Sequence, residues 1–181
     1  NFTKKKMHKE LFKEIEIPEG VEAEVNGNAI IIKGKEGETK KKFDTSKLIF
    51  EKSGNIIRIG NKKSTKNEKK MMNTIARHIN NMIQGVQEKY EYRLKICFSH
   101  FPITVEIKGN DALIKNFLGE KIPRKMKIVD GAEVKIDKEK ITVSSPDKES
   151  AGQTAANFEK ATRITRRDRR VFQDGIFITN K

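Results

Sequence analysis

Between Val21 and Glu38 apolar residues alternate with polar ones, and the same pattern returns between Ile103 and Glu120. The two 18-residue windows align without a gap at an offset of 82 and share seven identities: Glu24/Glu106, Gly27/Gly109, Asn28/Asn110, Ile32/Ile114, Lys33/Lys115, Gly37/Gly119 and Glu38/Glu120. Self-similarity at a fixed offset marks an internal repeat. Beyond each window the order of patterns also repeats. In the first copy Leu48-Ile-Phe-Glu51 and Ile56-Ile-Arg-Ile59 flank Ser53-Gly-Asn55; in the second, Val134-Lys-Ile136 and Ile141-Thr-Val143 flank Asp137–Lys140. Period-2 alternation predicts half-buried strands, each with one face needing cover. Lys13–Ile17 and Tyr90–Phe98 read as the opening strands of the two copies.

Cover is predicted by the segments that follow. Met71, Met72, Ile75, Ile79, Met82 and Ile83 fall on one stripe of a helix over 68–84. Thr65 with Glu68 forms a capping-box start, and Gly85 is read as the stop. The second helix begins near Ser145-Pro146-Asp147, with Pro146 suited to a first helical position, and carries Ala151, Ala155, Phe158 and Ala161. The expected fold is α+β: two duplicated units, each a small antiparallel sheet packed on one helix. The first unit takes residues 1–84 and the second 85–181.

Composition fits this division. The chain has 181 residues, of which 35% are hydrophobic and 35% charged, with no tryptophan. So low an apolar fraction suits two small cores better than one large one, while the regular spacing of aliphatics argues against disorder. No apolar run approaches a membrane span, and the opening residues around Lys4–Lys6 lack the apolar stretch of a secretory signal. The single cysteine, Cys97, leaves no internal disulfide or multi-cysteine zinc site and reads as a small core residue. An excess of 39 Lys+Arg over 25 Asp+Glu, for a net charge of +14, describes an intracellular basic protein with a polyanion as partner.

The basic excess is shared evenly, with 19 basic and 11 acidic groups in residues 1–84 and 20 and 14 in 85–181. Arginine is not. Five of nine, Arg163, Arg166, Arg167, Arg169 and Arg170, lie within eight residues at the expected end of the second helix, where random placement would put fewer than one. One or two cations there would answer the helix dipole; five, opposed only by Asp168, point to phosphate, which the planar guanidinium grips bidentately. A second candidate is the hairpin connection 115–125, with Lys115, Asn116, Lys121, Arg124 and Lys125 around Gly119. Phe117 in that loop is read as an anchor rather than a base-stacking ring. Lys4–Lys6, Lys40–Lys42, Lys62/Lys63 and Lys69/Lys70 fit either RNA contact or solubility.

Catalytic patterns are missing. The sequence holds no Walker loop, dinucleotide fingerprint or nucleophile elbow. His8, His78 and His100 are far apart in sequence, and His78 and His100 read as structural. Nothing assembles an acid, a base and a nucleophile, so the expectation is a non-enzyme without metal, cofactor or small-molecule substrate.

The two repeats, the His100-Phe-Pro102 turn, the Asn116-Phe-Leu-Gly-Glu-Lys121 loop and the terminus Arg167-x-x-Arg170-x-Phe172-x-Asp174-Gly-Ile-Phe-Ile178 resemble ribosomal protein L-six, the sixth protein of the large ribosomal subunit, in its archaeal or eukaryotic form. The resemblance spans nearly the whole chain, with Phe177 where tyrosine is usual and Lys160 where glutamine is usual. It implies a duplicated α+β fold and a structural, cytoplasmic role on the ribosome. It also implies binding of large-subunit rRNA near the sarcin-ricin loop and stalk base, where translational GTPases dock, beside neighbouring large-subunit proteins. The second unit would make most of the contacts, through residues 116–125 and 163–170, with Asp174 and Gly175 shaping a turn. The rival readings are a free nucleic-acid chaperone and, more distantly, a nuclease.

Overall fold

The structure, a computed structural model, describes residues 9–43 and 48–180. Lys4–Lys6 and His8 lie outside the described residues, as do the side chains of Lys62 and Lys63. The chain divides into two compact units between Glu88 and Lys89.

The first unit runs β1 (Lys9–Glu16), β2 (Glu22–Asn26), β3 (Ala29–Gly34), β4 (Gly37–Lys42), β5 (Ile49–Ser53), β6 (Ile56–Ser64) and α1 (Lys66–Gln87). Two three-stranded antiparallel sheets form, in the orders β2-β3-β4 and β1-β6-β5. Alternation sends Ile30 and Ile32 of one and Ile57 and Ile59 of the other inward, where they meet Met72, Ile75, Ala76, Ile79 and Met82 of α1 in one core. The sequence suggested one sheet per unit; its strands are right, but the β1–β2 and β4–β5 connections split them into two sheets on a shared helix.

The second unit repeats this order: β7 (Tyr90–Cys97), β8 (Thr104–Lys108), β9 (Asp111–Lys115), β10 (Arg124–Lys127), β11 (Glu133–Asp137), β12 (Lys140–Ser145) and α2 (Lys148–Ala161), then an added β13 (Gly175–Asn180). Its sheets are β8-β9-β10 and β11-β12-β7-β13, so β13 takes the edge of β7 whose counterpart on β1 has no strand among the described residues. Leu94, Ile96, Ile114, Phe117, Ile141, Val143, Phe158 and Ile176 form the core.

The repeat is visible in detail. Gly27 (φ +58°) and Gly109 (φ +61°) each take the first central position of a two-residue hairpin turn, where left-handed φ is required. Lys33 pairs with Glu24 at 3.4 Å, and Lys115 with Glu106 at 2.6 Å, so two of the seven identities, Glu24/Glu106 and Lys33/Lys115, are two copies of one cross-strand tie. Past that point the copies diverge. The offset grows from 82 between Ile32 and Ile114 to 85 between their strand partners Thr39 and Arg124. The identities Gly37/Gly119 and Glu38/Glu120 are therefore not structural equivalents.

Four readings change. Helix α1 passes through Gly85 and ends at Gln87, because the buried Val86 docks on the β3–β4 turn and its carbonyl accepts from Glu36 N at 2.9 Å. In α2 Pro146 precedes the N-cap rather than opening the helix; Asp147 is the cap and accepts from Glu149 N at 3.1 Å. Cys97 is half-buried, since alternation in β7 commits Ile96 to the core and turns its neighbour to the opposite face. Helix α2 ends at Ala161, so the arginines follow the helix instead of terminating it.

Candidate nucleic-acid interface

The arginine segment is an irregular loop anchored at both roots. At its start, the Thr162 hydroxyl donates to Phe158 O (3.1 Å) and accepts from Ile176 N (3.0 Å), tying the end of α2 to β13. At its end, the buried Asp174 accepts from Ser99 N at 3.2 Å. Between them Asp168 organises the turn. Its carbonyl accepts from Val171 N (3.2 Å) and Phe172 N (2.9 Å), and its carboxylate accepts from Arg170 N (2.9 Å) and grips the Arg170 guanidinium at 2.9 Å. These hydrogen bonds from the Arg170 side chain and then its backbone hold the Asp168 carboxyl below its ordinary range.

All five arginines are exposed. Arg163, Arg166 and Arg169 have no acidic partner among the described residues. Arg167 lies over the Phe172 ring at 4.9 Å from its centroid. Arg170 stays 89% exposed despite its ion pair. The helix dipole does not account for this cluster, because its field fades within the last turn and Arg166 to Arg170 lie beyond it.

The 116–123 loop is folded tightly against this segment. Asn116 (φ +58°) and Leu118 (φ +51°) adopt left-handed backbone, and the Asn116 amide donates to Pro102 O at 3.1 Å. Phe117 is wholly buried, as its anchoring role requires. Arg124 closes the loop. Its fork meets the Glu120 carboxylate at 2.6 and 2.8 Å, its Nη1 donates to Ala161 O (2.9 Å) and Arg163 O (3.3 Å), and its plane covers Phe117 at 4.2 Å. Bonding from Arg124, with further attraction to Arg167, lowers the Glu120 carboxyl below its ordinary value.

The structure thus sorts the ten residues singled out from sequence. Arg163, Arg166, Arg167, Arg169 and Arg170 are all exposed on one braced loop. Lys121 and Lys125 are exposed, and their side chains have no hydrogen-bond partner among the described residues. Arg124, Lys115 and Asn116 spend their polar groups inside the protein: on the Glu120 clamp, the Glu106 tie and the Pro102 carbonyl. Sequence reading missed an open groove of about 1100 Å³ beside the arginines, between the end of α2, β13 and the loop, with Phe98, Phe172 and Phe177 in its walls. The alternation Gly175-Ile176-Phe177-Ile178 is the one signal for it, since burying Ile176 turns Phe177 outward. On the first unit, Lys66, Lys69, Lys70 and Arg77 occupy the solvent side of α1.

No cluster of three or more potential metal ligands occurs among the described residues, and no described helix is long and apolar enough to cross a membrane. His78 lies 3.1 Å from Lys41 Nζ and packs near Phe43; His100 sits edge-on to Phe101.

Fold and site define a duplicated α+β protein with a braced cationic face. The family model described as ribosomal protein L6 matches residues 17–89 and 101–175, one stretch in each unit. The chain is 44% identical over 168 residues to the large ribosomal subunit protein uL6 of Methanobrevibacter smithii, covering 93% of this chain and 94% of that protein. It is 43% identical to the uL6 protein of Methanococcus vannielii (93% and 92% covered) and 42% identical to that of Archaeoglobus fulgidus (92% and 88%). The chain belongs to the ribosomal protein L6 family.

Proposed function

We propose that this protein is a structural, non-catalytic constituent of the large ribosomal subunit in the cytoplasm, and that its second unit binds large-subunit rRNA near the sarcin-ricin loop and the stalk base. It would there support the surface on which translational GTPases dock, in contact with neighbouring subunit proteins. Family membership supports the coarse role. The finer one is carried by a single observation: five exposed arginines on a loop pinned at Thr162 and Asp174. Pinning matters because a pre-ordered cation loses less conformational freedom when it meets phosphate. Lys121 and Lys125 extend the positive face, while Lys115, Asn116 and Arg124 hold its shape. Contacts of this type fix position along the backbone and read little sequence.

Replacing Arg166, Arg167, Arg169 and Arg170 together by alanine should leave circular dichroism and the cooperativity of thermal unfolding unchanged, because all four are exposed and only the Arg170–Asp168 pair and the Arg167–Phe172 contact are lost, yet abolish co-sedimentation with the large subunit. Normal incorporation of this variant would overturn the arginine reading. Backbone footprints of the bound protein away from the sarcin-ricin loop and stalk base would overturn the location alone.

A further inference from the structure

We infer that the groove beside the arginine loop is a pocket for one unpaired nucleotide of the rRNA, whose base lies against Phe177 and Phe98 and whose flanking phosphates meet Arg163, Arg169 and Arg170. The inference rests on the proposed rRNA role and adds base capture to it. Phe177 and Phe98 are 41% and 38% exposed. The Phe177 ring lies back over the buried Gly175, where an added Cβ would stand 3.0 Å from Phe177 Cζ, so the ring is fixed beside the groove while staying partly open to solvent. Exposed rings that line a concave wall mark a contact surface, and these rings stand beside a cationic rim.

Charge selects the occupant. Both carboxylates in the wall are already engaged: Glu159 accepts from Ile178 N at 2.8 Å, and Asp174 from Ser99 N at 3.2 Å. Both keep their charge, but Lys160, Arg163, Arg169 and Arg170 in the same lining outnumber them, and Arg163 and Arg169 carry no ion pair among the described residues, so the wall favours an anion over a basic peptide. A flat apolar ring joined to anions on either side matches aromatic walls under an arginine rim. Unstacked bases are held in this way on aromatic faces, whereas a paired helix offers only its backbone. The groove volume of about 1100 Å³ exceeds the roughly 300–1,000 Å³ of sites for drug-sized molecules, leaving room for a nucleotide with its neighbouring backbone.

The test uses the full chain and a large-subunit rRNA transcript of Methanobrevibacter smithii, probed with reagents for Watson–Crick edges and with hydroxyl radicals for the backbone. Wild type should protect one unpaired base within a stretch of protected backbone. Phe177→Leu keeps apolar bulk and removes the ring face. It should bind about tenfold more weakly, within the range of base–aromatic stacking, and lose base protection at saturation while the backbone footprint persists. Phe177→Tyr should restore both, and a melting curve confirms that each variant is folded. Backbone protection without base protection in wild type overturns the inference and spares the arginine reading, as does a base equally protected by Phe177→Leu. Protection of the groove only by a protein segment in the assembled subunit has the same meaning. Absence of any arginine-dependent backbone footprint sinks both.

Discussion

Arg124 joins four elements: the Glu120 carboxylate, the Phe117 ring, and the carbonyls of Ala161 and Arg163. Lysine cannot reproduce a planar fork that serves all of them, so Arg124→Lys should cost about 1 to 2 kcal/mol in urea unfolding. Acid should weaken the same clamp. The folded Glu120 carboxyl lies below its ordinary 4.5, held there first by the Arg124 hydrogen bond. A lowered carboxyl contributes stability in full above its ordinary value and loses it as pH falls through the folded one. From about pH 5 to about pH 3 the urea midpoint of wild type should therefore drop more steeply than that of Glu120→Gln; parallel curves would discount the clamp. The charge of Arg124 was readable in the sequence, but its role was not. Two of its partners are backbone carbonyls some forty residues away, and carbonyls leave no mark on residue type. Cys97 was misread for a simpler reason: an apolar run gives no phase, and only the register of β7 decided which neighbour faced inward.

At the scale of elements, the close fit of α1 on the β3–β4 turn carries the first unit. A Cβ on Gly34 would lie 2.8 Å from both Val86 O and Val86 Cγ2. The carbonyl cannot swing away without breaking its bond to Glu36 N. Gly34→Ala should thus destabilise by about 1 to 3 kcal/mol, measured by thermal unfolding, and an unchanged midpoint would refute this packing. Strands and helices were largely legible, because alternation and the 3.6-residue stripe follow from which face is buried. Boundaries set by tertiary contact were not. Gly85 carries a stop signal that docking of Val86 overrides, and the end of α2 at Ala161 is fixed by Thr162 reaching β13. Partition of each unit into two sheets was equally hidden, as strand pairing is non-local.

For the whole molecule, a net charge of +14 makes any RNA complex sensitive to salt. If about four of the five arginines each neutralise one phosphate, log affinity should fall against log salt with a slope of roughly −3 to −4. The four-arginine alanine variant should show a much shallower slope, and an equal one would place the contacts elsewhere. The arginine cluster was the part of the site most open to sequence reading, because it departs so far from random placement. The groove was not, since Phe98 is distant in sequence from Phe172 and Phe177 and meets them only once β13 has paired with β7.

The two ion pairs Lys33–Glu24 and Lys115–Glu106 give the chain its own control specimen. Whatever both halves retain, including that tie and the glycine hairpin before it, is framework, and a cation found there is accounted for without any ligand. Whatever one half alone acquired is where specialisation must be sought: three more residues after Asn116, a terminal strand, and the arginines between helix and strand. Lys115 falls on the first side of that line and Arg163 to Arg170 on the second, a sorting that net charge could never make.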